Sequence, residues 1–293
     1  MDFIYSIIIP HYNSSDLLQR MLKSIPERED IQVIVVDDCS KNEEVEKLKQ
    51  LQHMNLELYL ESENRGAGHA RNIGLNHVSG KWVLVVDADD IFAENAFDVF
   101  DKHKDSKIDY LCYRIRIITP DGAILGNNVS DRSVGKYLEN KNKRNTNLFR
   151  FRNLVCWNKM VSSDFIKQYK LHFEESKVNN DVYYNLMIGL YGQKYEVIPD
   201  VLYHPIGQVG SITKKERTIE REFEFFLQAQ KRNGFYREIG LNHMPFYRPQ
   251  LLYIPFLIKK HGFIFTYKFF WYCFEHKKEI QIARTAYKSI FTM

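Results

Sequence analysis

Short apolar runs alternate with amphipathic segments over the first part of the chain. The apolar runs are rich in β-branched residues and end in polar residues, which predicts strands buried on both faces of a sheet. Between them, apolar residues recur three and four positions apart, which predicts helices. The predicted strands are residues 6–10, 31–36, 56–60, 83–86 and 108–118. This alternation indicates an α/β fold with a mostly parallel sheet and right-handed crossovers.

The pattern changes after the fifth predicted strand. Residues 126–147 are polar, and a basic cluster lies in this segment or just beyond it, formed by Lys136, Lys141, Lys143, Arg144, Arg150 and Arg152. This composition favours a solvated or mobile loop, with a loop closing over an anionic ligand as the alternative. Asn180-Asp181 precedes a helical pattern that Gly192 ends, so Asp181 is predicted at a helix N-terminus. Short strands are predicted at 195–198 and 201–204, before a flexible loop at 207–213.

The C-terminal part predicts helices of unusual composition. An amphipathic helix is expected from Lys215 to about Asn233, with Gly234 as its cap. Residues 251–274 then mix aromatic residues with basic ones, and these charges argue against a membrane-spanning helix. Basic residues among aromatics suit a helix at a membrane surface. The alternative is a helical hairpin that packs on the main domain or on a second copy in a homodimer.

Composition excludes several classes of protein. The chain has 293 residues, 44% apolar and 27% charged, which suits one large domain with an appendage. A net charge of +4 is too small to indicate nucleic-acid binding. The four cysteines lie far apart, which fits a reducing cytoplasm rather than a zinc site or disulfide framework. Residues 3–9 lack the flanks of a signal peptide and are expected to form the first strand.

Acidic residues end two of the predicted strands. Asp37 and Asp38 follow the second strand, and Asp87, Asp89 and Asp90 follow the fourth. Open α/β sheets bind ligands at the carboxyl ends of their strands. The first and third side chains of an extended Asp-Ala-Asp point the same way, so Asp87 and Asp89 can address one ligand or one divalent ion. Solvated strand ends and a helix cap at Asp90 are the alternatives.

Two local motifs refine this picture. Ser40 and Glu43 have the spacing of a capping box for the second helix. A glycine turn, Gly66-Ala67-Gly68, runs into the third helix. A dinucleotide-binding fold would require a third glycine where Arg71 stands, and would place its glycine loop after the first strand. We therefore exclude that fold.

Six segments, taken in order, resemble the family 2 glycosyltransferases, which are inverting nucleotide-sugar enzymes with the GT-A fold. They are Ser6-Ile7-Ile8-Ile9-Pro10-His11-Tyr12-Asn13, Val35-Val36-Asp37-Asp38-Cys39-Ser40, Asn64-Arg65-Gly66 through Ala70-Arg71-Asn72, Gly80-Lys81-Trp82 through Asp87-Ala88-Asp89-Asp90, Trp157-Asn158-Lys159, and Asn180-Asp181. Each segment alone is weak, but their order and spacing are specific. The resemblance spans residues 4–213 and leaves out the C-terminal region.

The resemblance implies a GT-A domain over residues 1–213, with a Rossmann-like, mostly parallel central sheet flanked by helices. Its nucleotide-sugar half would cover about 1–118 and its acceptor half about 119–213. Residues 214–293 would form a helical, aromatic-rich extension that contacts a membrane surface or a dimer partner.

Roles for single residues also follow from the resemblance. Asp38 would read the nucleotide base, with Pro10 and Tyr12 lining the same pocket. Arg71 resembles the family's basic residue near the nucleotide, and Asp87 would approach the ribose.

The metal and the general base are implied in the same way. Asp89 would ligate Mg²⁺ or Mn²⁺ at the diphosphate, and Asp181 would take the proton of the acceptor hydroxyl, with inversion at the anomeric carbon. The family often has Glu-Asp where this chain has Asn180-Asp181. Weaker matches suggest acceptor or diphosphate contacts for Trp157, His204 and Ser211.

These observations predict a glycosyltransferase of surface-polysaccharide synthesis, cytoplasmic or peripheral at the inner face of the membrane. The donor would be a nucleotide sugar, with UDP favoured, and the acceptor a hydroxyl of a glycan or lipid-linked oligosaccharide. A nucleotide-sugar-binding protein without turnover is the alternative, although such a protein has no need of Asp181. A nucleotidyltransferase would carry a glycine-rich basic loop after the first strand, where this chain has His11-Tyr12-Asn13-Ser14-Ser15.

Overall fold

Eight strands form the larger sheet of the computed structural model, which describes residues 3–207, 218–243 and 253–291. The strands are β1 Tyr5–His11, β2 Ile31–Asp37, β3 Leu56–Leu60, β4 Trp82–Val85, β5 Ile91–Phe92, β6 Tyr110–Ile115, β7 Ile117–Ile118, β8 Ile124–Gly126, β9 Lys159–Ser162 and β10 Tyr195–His204. The order in the sheet is β3-β2-β1-β4-β9-β6-β10-β5, while β7 and β8 pair separately.

Most strands of the large sheet run in one direction. β1 is parallel to β2 and β4, β2 is parallel to β3, and β6 is parallel to β10. Within this sheet, as far as the structure describes the chain, only β9 and β5 run against their neighbours. The carboxyl ends of β1, β2 and β4 therefore meet at one edge, as the prediction of a mostly parallel sheet requires.

Helices connect and follow the strands. They are α1 Ser15–Lys23, α2 Asn42–Gln50, α3 Ala67–Asn76, α4 Ala96–Asp101, α5 Val129–Glu139, α6 Lys143–Arg152, α7 Ser163–Gln168, α8 Val182–Tyr191, α9 Ile219–Glu238, α10 Tyr253–Glu275 and α11 Lys277–Thr285. The chain divides into two compact units, Met1–Ser176 with Asn180–Ser211, and Lys177–Asn179 with Ile212–Met293.

The core of the first unit explains why its central strands are continuous apolar runs. Every residue of β1, β2 and β4 is buried, so neither face of these strands requires polar side chains. Tyr5, Trp82 and Phe100 are among the largest fully buried side chains of this core. The buried strands form a rigid base for the residues at their carboxyl ends.

The prediction of a loop at 126–147 is wrong, because helices α5 and α6 occupy most of this segment. Asn128 and Asn142 cap them, accepting hydrogen bonds from the backbone N–H groups of Asp131 and Asn145. The Asp131 carboxylate is buried and receives two hydrogen bonds from the Arg114 guanidinium. Polar residues here serve as caps and a buried ion pair, which a count of polarity cannot distinguish from a solvated loop.

Three further elements differ from the prediction. The run at 108–118 is divided into β6 and β7, and the two strands expected near residue 200 form one irregular strand, β10. Gly234 lies inside α9 rather than at its end. A side chain at Gly234 would meet the backbone carbonyl of Arg284, so this glycine permits close helix packing.

The second unit is helical, as the sequence predicts. Its core is formed by five buried residues, Phe223, Phe226, Leu257, Phe269 and Ile280. Over the described ranges, each helix falls short of the combined length and hydropathy that a bilayer crossing requires.

Candidate active site

The candidate site lies where the first three central strands end. The Asp38 N–H donates to the His11 carbonyl at 2.9 Å, and the Val86 N–H donates to the Ile8 carbonyl at 3.0 Å. These bonds extend the pairing of β1 with β2 and β4 by one residue. The predicted acidic residues are therefore brought to one edge of the sheet by main-chain hydrogen bonds.

Asp37 belongs to a buried network that the sequence did not reveal. Its carboxylate accepts hydrogen bonds from His11 Nδ1 at 2.8 Å and from the Ser40 N–H at 2.9 Å, as well as from the Ser40 hydroxyl. His11 Nε2 accepts from the Ser14 N–H at 3.1 Å, which assigns the ring proton to Nδ1. Burial raises the pKa of Asp37, but the bonds from His11 and Ser40 outweigh it and hold the pKa below its usual value.

Asp38 is also buried and bound to the main chain. Its two carboxylate oxygens accept from the N–H groups of Arg65 at 2.8 Å and Gly66 at 2.7 Å, which fixes the turn before α3. Pro10 is buried in β1, whereas the Tyr12 side chain is 52% exposed at the end of that strand. The structure thus places Pro10, Tyr12 and Asp38 at the same edge, and recognition of a nucleotide base by them stays a prediction.

Three carboxylates follow β4. Asp87, Asp89 and Asp90 each offer an oxygen within 4.8 Å of the others. Burial and the charge of Asp87 raise the pKa of Asp89, and burial with the charges of Asp87 and Asp89 raises that of Asp90. The Tyr203 hydroxyl and the Ile206 N–H donate to the two oxygens of Asp90 at 2.9 and 2.8 Å.

This acidic cluster fits a divalent cation. Its donors are hard carboxylate oxygens, the type that Mg²⁺ and Mn²⁺ prefer. Both oxygens of Asp90 already accept hydrogen bonds from the protein, whereas the pKa of Asp89 is raised by burial and by the charge of Asp87. Asp89 thus remains available as the predicted ligand of the cation.

Arg20 supports this cluster from α1, and the sequence did not single it out. Its guanidinium donates to the main-chain carbonyl of Asp89 at 2.5 Å. The same positive charge opposes the rise in the pKa of Asp89.

Arg71 links the donor and acceptor parts of the predicted site. The guanidinium is buried and donates to Asp87 at 2.6 Å and to the side-chain oxygen of Asn180 at 2.5 Å. The guanidinium also faces the ring of Phe173, whose centroid lies 5.4 Å from the guanidinium carbon. Asn180 therefore holds Arg71 through a neutral oxygen where the family often has a second acid.

Asp181 occupies the N-cap of α8, as predicted from the sequence. Burial raises its pKa to about 6; the charge of Arg71 opposes this rise and that of Asp87 adds to it. A carboxylate with this pKa is mostly ionised at neutral pH and can still accept a proton efficiently. This raised pKa is compatible with the predicted role of Asp181 as general base, which stays a prediction.

Gly68 determines how close the Asp181 segment comes to α3. A side chain at Gly68 would meet the main-chain carbonyl of Glu174 and the Cβ of Asn180. The Phe173 N–H and carbonyl also bond to the side chain of Asn72, at 2.7 and 2.9 Å. The glycine turn therefore serves close packing as well as the bend into α3.

Lys159 is a buried cation that the sequence reasoning did not select. Its ammonium donates to the carbonyls of Asn153 and Val155 at 3.2 and 2.7 Å, and to the side chain of Asn158 at 2.9 Å. Burial lowers its pKa to about 8, and the nearby charges, including Asp181, oppose this fall. Lys159 fixes the loop before β9, which contains Trp157.

The three weaker candidates have different positions. The Trp157 ring stacks on Tyr203, with centroids 5.6 Å apart. His204 Nδ1 lies 3.1 Å from the carbonyl of Arg116, and His204 lines a cavity of about 680 Å³ with residues of α1, β5 and α4. Ser211 lies outside the described residues.

The residues that the sequence did not single out share one property: they make buried or part-buried polar contacts. They are His11, Ser40, Arg20, Tyr203 and Lys159, and all except Lys159 reach a partner that is distant in the chain. His11, Ser40 and Lys159 lie within the segments that carry the family resemblance, so a polar residue inside such a segment was the available signal. Arg20 and Tyr203 lie outside those segments and have no comparable signal.

Comparisons with known proteins give a consistent result. The sequence model described as glycosyl transferase family 2 matches residues 6–168, which is more than half of the chain. Glycosyltransferase GlyA of Streptococcus pneumoniae is 27% identical over 219 residues, covering 71% of this chain and 31% of GlyA. The minor teichoic acid biosynthesis protein GgaB of Bacillus subtilis is 26% identical over 214 residues, covering 69% of this chain and 23% of GgaB. The chain thus spans a third or less of these relatives.

Solved structures agree on the fold. Residues 1–349 of Staphylococcus aureus TarS, in complex with UDP-GlcNAc, align with a TM-score of 0.61 at 20% identity, covering 79% of this chain and 66% of that one. The mannosyltransferase PcManGT of Pyrobaculum calidifontis, in complex with GDP-Man and Mn²⁺, aligns with a TM-score of 0.55 at 16% identity, covering 97% and 75%. The predicted GT-A fold is confirmed, and the chain belongs to glycosyl transferase family 2.

Proposed function

We propose that this chain transfers a sugar from a nucleotide-sugar donor to a hydroxyl of a glycan or lipid-linked acceptor, with inversion at the anomeric carbon. The observation that carries the proposal is the convergence of Asp89, Arg71 and Asp181 at the carboxyl edge of the sheet in a family 2 glycosyltransferase. We assign the nucleotide-sugar half to about residues 1–118 and the acceptor half to about 119–213.

Donor binding would use the ends of β1, β2 and β4. Asp38, Pro10 and Tyr12 would line the pocket of the base, and Asp87 would approach the ribose. A divalent ion at Asp89 would act as a Lewis acid that offsets the charge building on the departing nucleoside diphosphate. Arg71 holds Asp87 in place through its hydrogen bond and supplies positive charge to this side of the site.

Asp181 would remove the proton from the acceptor hydroxyl. Its raised pKa supports this role, since a base is most effective when its pKa lies near the working pH. Attack by the deprotonated acceptor from the face opposite the nucleotide inverts the anomeric centre. Asn180 keeps Arg71 directed to this region without adding a second negative charge beside Asp181.

The names of the relatives favour a UDP-sugar and a bacterial surface polymer. TarS is a poly(ribitol-phosphate) β-N-acetylglucosaminyltransferase whose structure holds UDP-GlcNAc, and GgaB is a minor teichoic acid biosynthesis protein. PcManGT holds GDP-Man, so the nucleotide has to be tested directly.

The first experiment is a thermal-shift panel of UDP-, GDP- and dTDP-sugars, each with Mn²⁺ and with a chelator. A ligand that binds only the native state stabilises it by about 2.7 kcal/mol at a concentration of 100 Kd. We expect a metal-dependent shift with the UDP-sugars. The absence of a shift with every nucleotide would contradict donor binding.

Transfer is then tested with Asp181→Asn. We expect the donor-induced shift to persist and kcat to fall by roughly 10² to 10⁴-fold, the usual contribution of a general base. Asp164→Asn is the matched control, because Asp164 is an exposed acid in the first turn of α7. Normal turnover in Asp181→Asn would exclude the base, and donor binding without transfer in the wild type would favour the non-catalytic alternative.

A further inference from the structure

The second half of α10 is a separate helical segment. Gly262 interrupts the helix with φ 83° and ψ 175°, so residues 263–275 take a new direction. Just before this break, His261 and Lys260 lie 3.4 and 3.7 Å from the buried carboxylate of Glu222 on α9. The ion pair between Lys260 and Glu222 anchors the turn before Gly262, and the charge of Lys260 is neutralised there.

One face of this segment is buried and the other is apolar and exposed. Thr266 and Phe269 are buried. The exposed face, here called the aromatic stripe, consists of side chains that are 42–76% exposed: Phe263, Ile264, Tyr267, Phe270, Trp271 and Phe274. At about 100° per residue these positions fall within roughly 120° of the helix circumference, over about 18 Å of helix.

A basic groove follows the aromatic stripe. It has a volume of about 420 Å³ and is lined by Lys277, Lys278, Ile280, Gln281 and Arg284 of α11, with no acidic residue in its lining. The Lys277 ammonium lies 5.4 Å from the centre of the Phe274 ring, which joins the groove to the end of the stripe. Basic and aromatic surfaces are therefore continuous.

Charge is concentrated in this region. Residues 253–291 contain seven of the chain's 41 basic residues and two of its 37 acidic ones, a net charge of +5, which leaves the remainder of the chain at −1. The two acids are Glu275, which accepts a hydrogen bond from the Trp271 indole at 2.8 Å, and Glu279. The positive charge of the chain thus lies where the exposed aromatic residues lie.

We propose that the aromatic stripe of α10 and the basic groove of α11 dock this chain on an anionic lipid bilayer. A contiguous exposed apolar face marks an interaction surface. Aromatic rings with lysines at their margin are typical of helices lying in the plane of a bilayer interface, where anionic lipids add about 1 kcal/mol per nearby basic residue. No described helix is apolar enough to span a membrane, which fits surface binding. The bilayer would be the site of a lipid-linked acceptor.

Co-sedimentation of the full chain with vesicles tests the docking without donor, acceptor or turnover, so its outcome is separate from that of the proposed function. One set contains phosphatidylcholine alone, and the other contains about one third phosphatidylglycerol. We expect at least about 10-fold tighter binding to the anionic vesicles, which weakens as salt is raised. Equal binding to both sets, or binding to neither, would overturn the proposal.

Variants of the stripe test the apolar contact. Trp271→Ser with Phe274→Ser should weaken binding to anionic vesicles by about 100-fold, because two exposed aromatic side chains no longer enter the interface. Ile124→Ser with Leu125→Ser is the matched control, since both side chains are similarly exposed in β8. Loss of binding in both double variants, or in neither, would contradict a specific role for the stripe.

Variants of the groove test the charge. Lys277→Glu with Lys278→Glu should reduce binding to anionic vesicles by roughly 30-fold and remove most of its salt dependence. Lys102→Glu with Lys194→Glu makes the same change of charge at exposed positions elsewhere in the chain and should bind nearly as the wild type does. An equal loss in both pairs would indicate a net-charge effect and overturn the groove assignment.

Fluorescence distinguishes a bilayer from a protein partner. Of the three tryptophans, Trp82 is buried and Trp157 is half-buried against Tyr203, whereas Trp271 is exposed. Trp271 should therefore give the main blue shift when vesicles are added, and lipids brominated near the head of the acyl chain should quench it. Trp271→Phe should lose the shift and keep the binding. Two outcomes would show that protein covers this face and would refute the proposal. One is a tryptophan emission that is already blue-shifted without lipid, and the other is a change of oligomeric state in a stripe variant, measured by sedimentation velocity.

Discussion

Two acidic clusters, Asp37-Asp38 after β2 and Asp87-Ala88-Asp89-Asp90 after β4, look alike in the sequence and differ in the structure. The oxygens of Asp37 and Asp38 accept hydrogen bonds from His11, Ser40 and two main-chain N–H groups. The pKa of Asp37 is lowered, so the fold stabilises its negative charge.

In the cluster after β4 the surroundings disfavour the negative charge. Burial and mutual repulsion raise the pKa of Asp89 and Asp90, and the charge of Asp87 also contributes to the raised pKa of Asp181. Arg71 pairs with Asp87 and the charge of Arg20 lowers the pKa of Asp89, but these two cations compensate the negative charge of the cluster only in part. The difference teaches that acids at a strand end indicate a ligand only where their charge stays uncompensated, which is a property of the surroundings rather than of the motif.

The largest expected effect comes from removing that uncompensated charge. Asp89→Asn should abolish the Mn²⁺-dependent part of donor binding and lower kcat/KM by about 100-fold or more, because a Lewis acid contributes several kcal/mol to transition-state stabilisation. In the absence of metal the variant should unfold at a slightly higher temperature, since repulsion with Asp87 is reduced. Calorimetric titration with and without Mn²⁺ measures the first effect, and unchanged metal dependence would remove Asp89 from the metal site.

Removing a compensated charge should instead destabilise the fold. Asp38→Asn replaces an acceptor of two main-chain N–H groups, and each hydrogen bond to a charged group is worth about 1.5–3 kcal/mol. We expect a loss of about 3 kcal/mol in the free energy of unfolding, measured by urea denaturation at neutral pH. Full stability of Asp38→Asn would mean that this carboxylate is free for ligand binding alone.

The pH dependence of stability should also separate the two sides of the site. Asp181, with its pKa raised to about 6, holds a proton in the folded chain between about pH 4 and 6 that the unfolded chain has released. The free energy of unfolding therefore falls as pH rises through this range, by about 2 kcal/mol after allowance for partial exposure. Asp37 acts in the opposite sense, since its lowered pKa makes stability fall as pH drops below about 4.

The variant Asp181→Asn tests the direction of this pH dependence. Denaturation curves of the variant and the wild type, measured at several values from pH 4 to pH 7, should diverge, with the variant gaining relative stability toward pH 7. Parallel pH profiles would show that Asp181 titrates at its ordinary pKa in the folded chain. The transfer rate of the wild type should rise with pH through about 6, because the base must be ionised.

The smallest expected effect distinguishes two roles for Ser40. Its hydroxyl donates to Asp37 and accepts from the Asn13 N–H at 2.7 Å, so Ser40→Ala should cost about 1–2 kcal/mol. The sequence predicts a capping box with Glu43, but α2 begins at Asn42 and its N-cap residue, Lys41, makes no side-chain cap. Glu43→Gln should therefore change stability by less than about 0.5 kcal/mol, and a larger loss would restore the capping box.

Much of the first unit could be predicted from local patterns. Continuous apolar runs indicate buried parallel strands, and β3 matches its predicted bounds. The position of Asp181 followed from a helix start that depends on neighbouring residues only. The helices in 126–147 could not be predicted, because the polar residues of this segment pair with Arg114 or cap the two helices, and the hydrophobic pattern carries no information about such partners.

The sequence by itself determined the α/β order, the family and the identity of the acidic residues, because periodicity, strand ends and short motifs are local properties of the chain. Only the tertiary structure decided which of these acids are neutralised, since that depends on His11, Arg71, Tyr203 and main-chain N–H groups brought from distant positions. It also decided that the aromatic residues of α10 divide into a buried and an exposed face. Burial and charge compensation arise from contacts between distant segments, and those contacts exist only when the chain is folded.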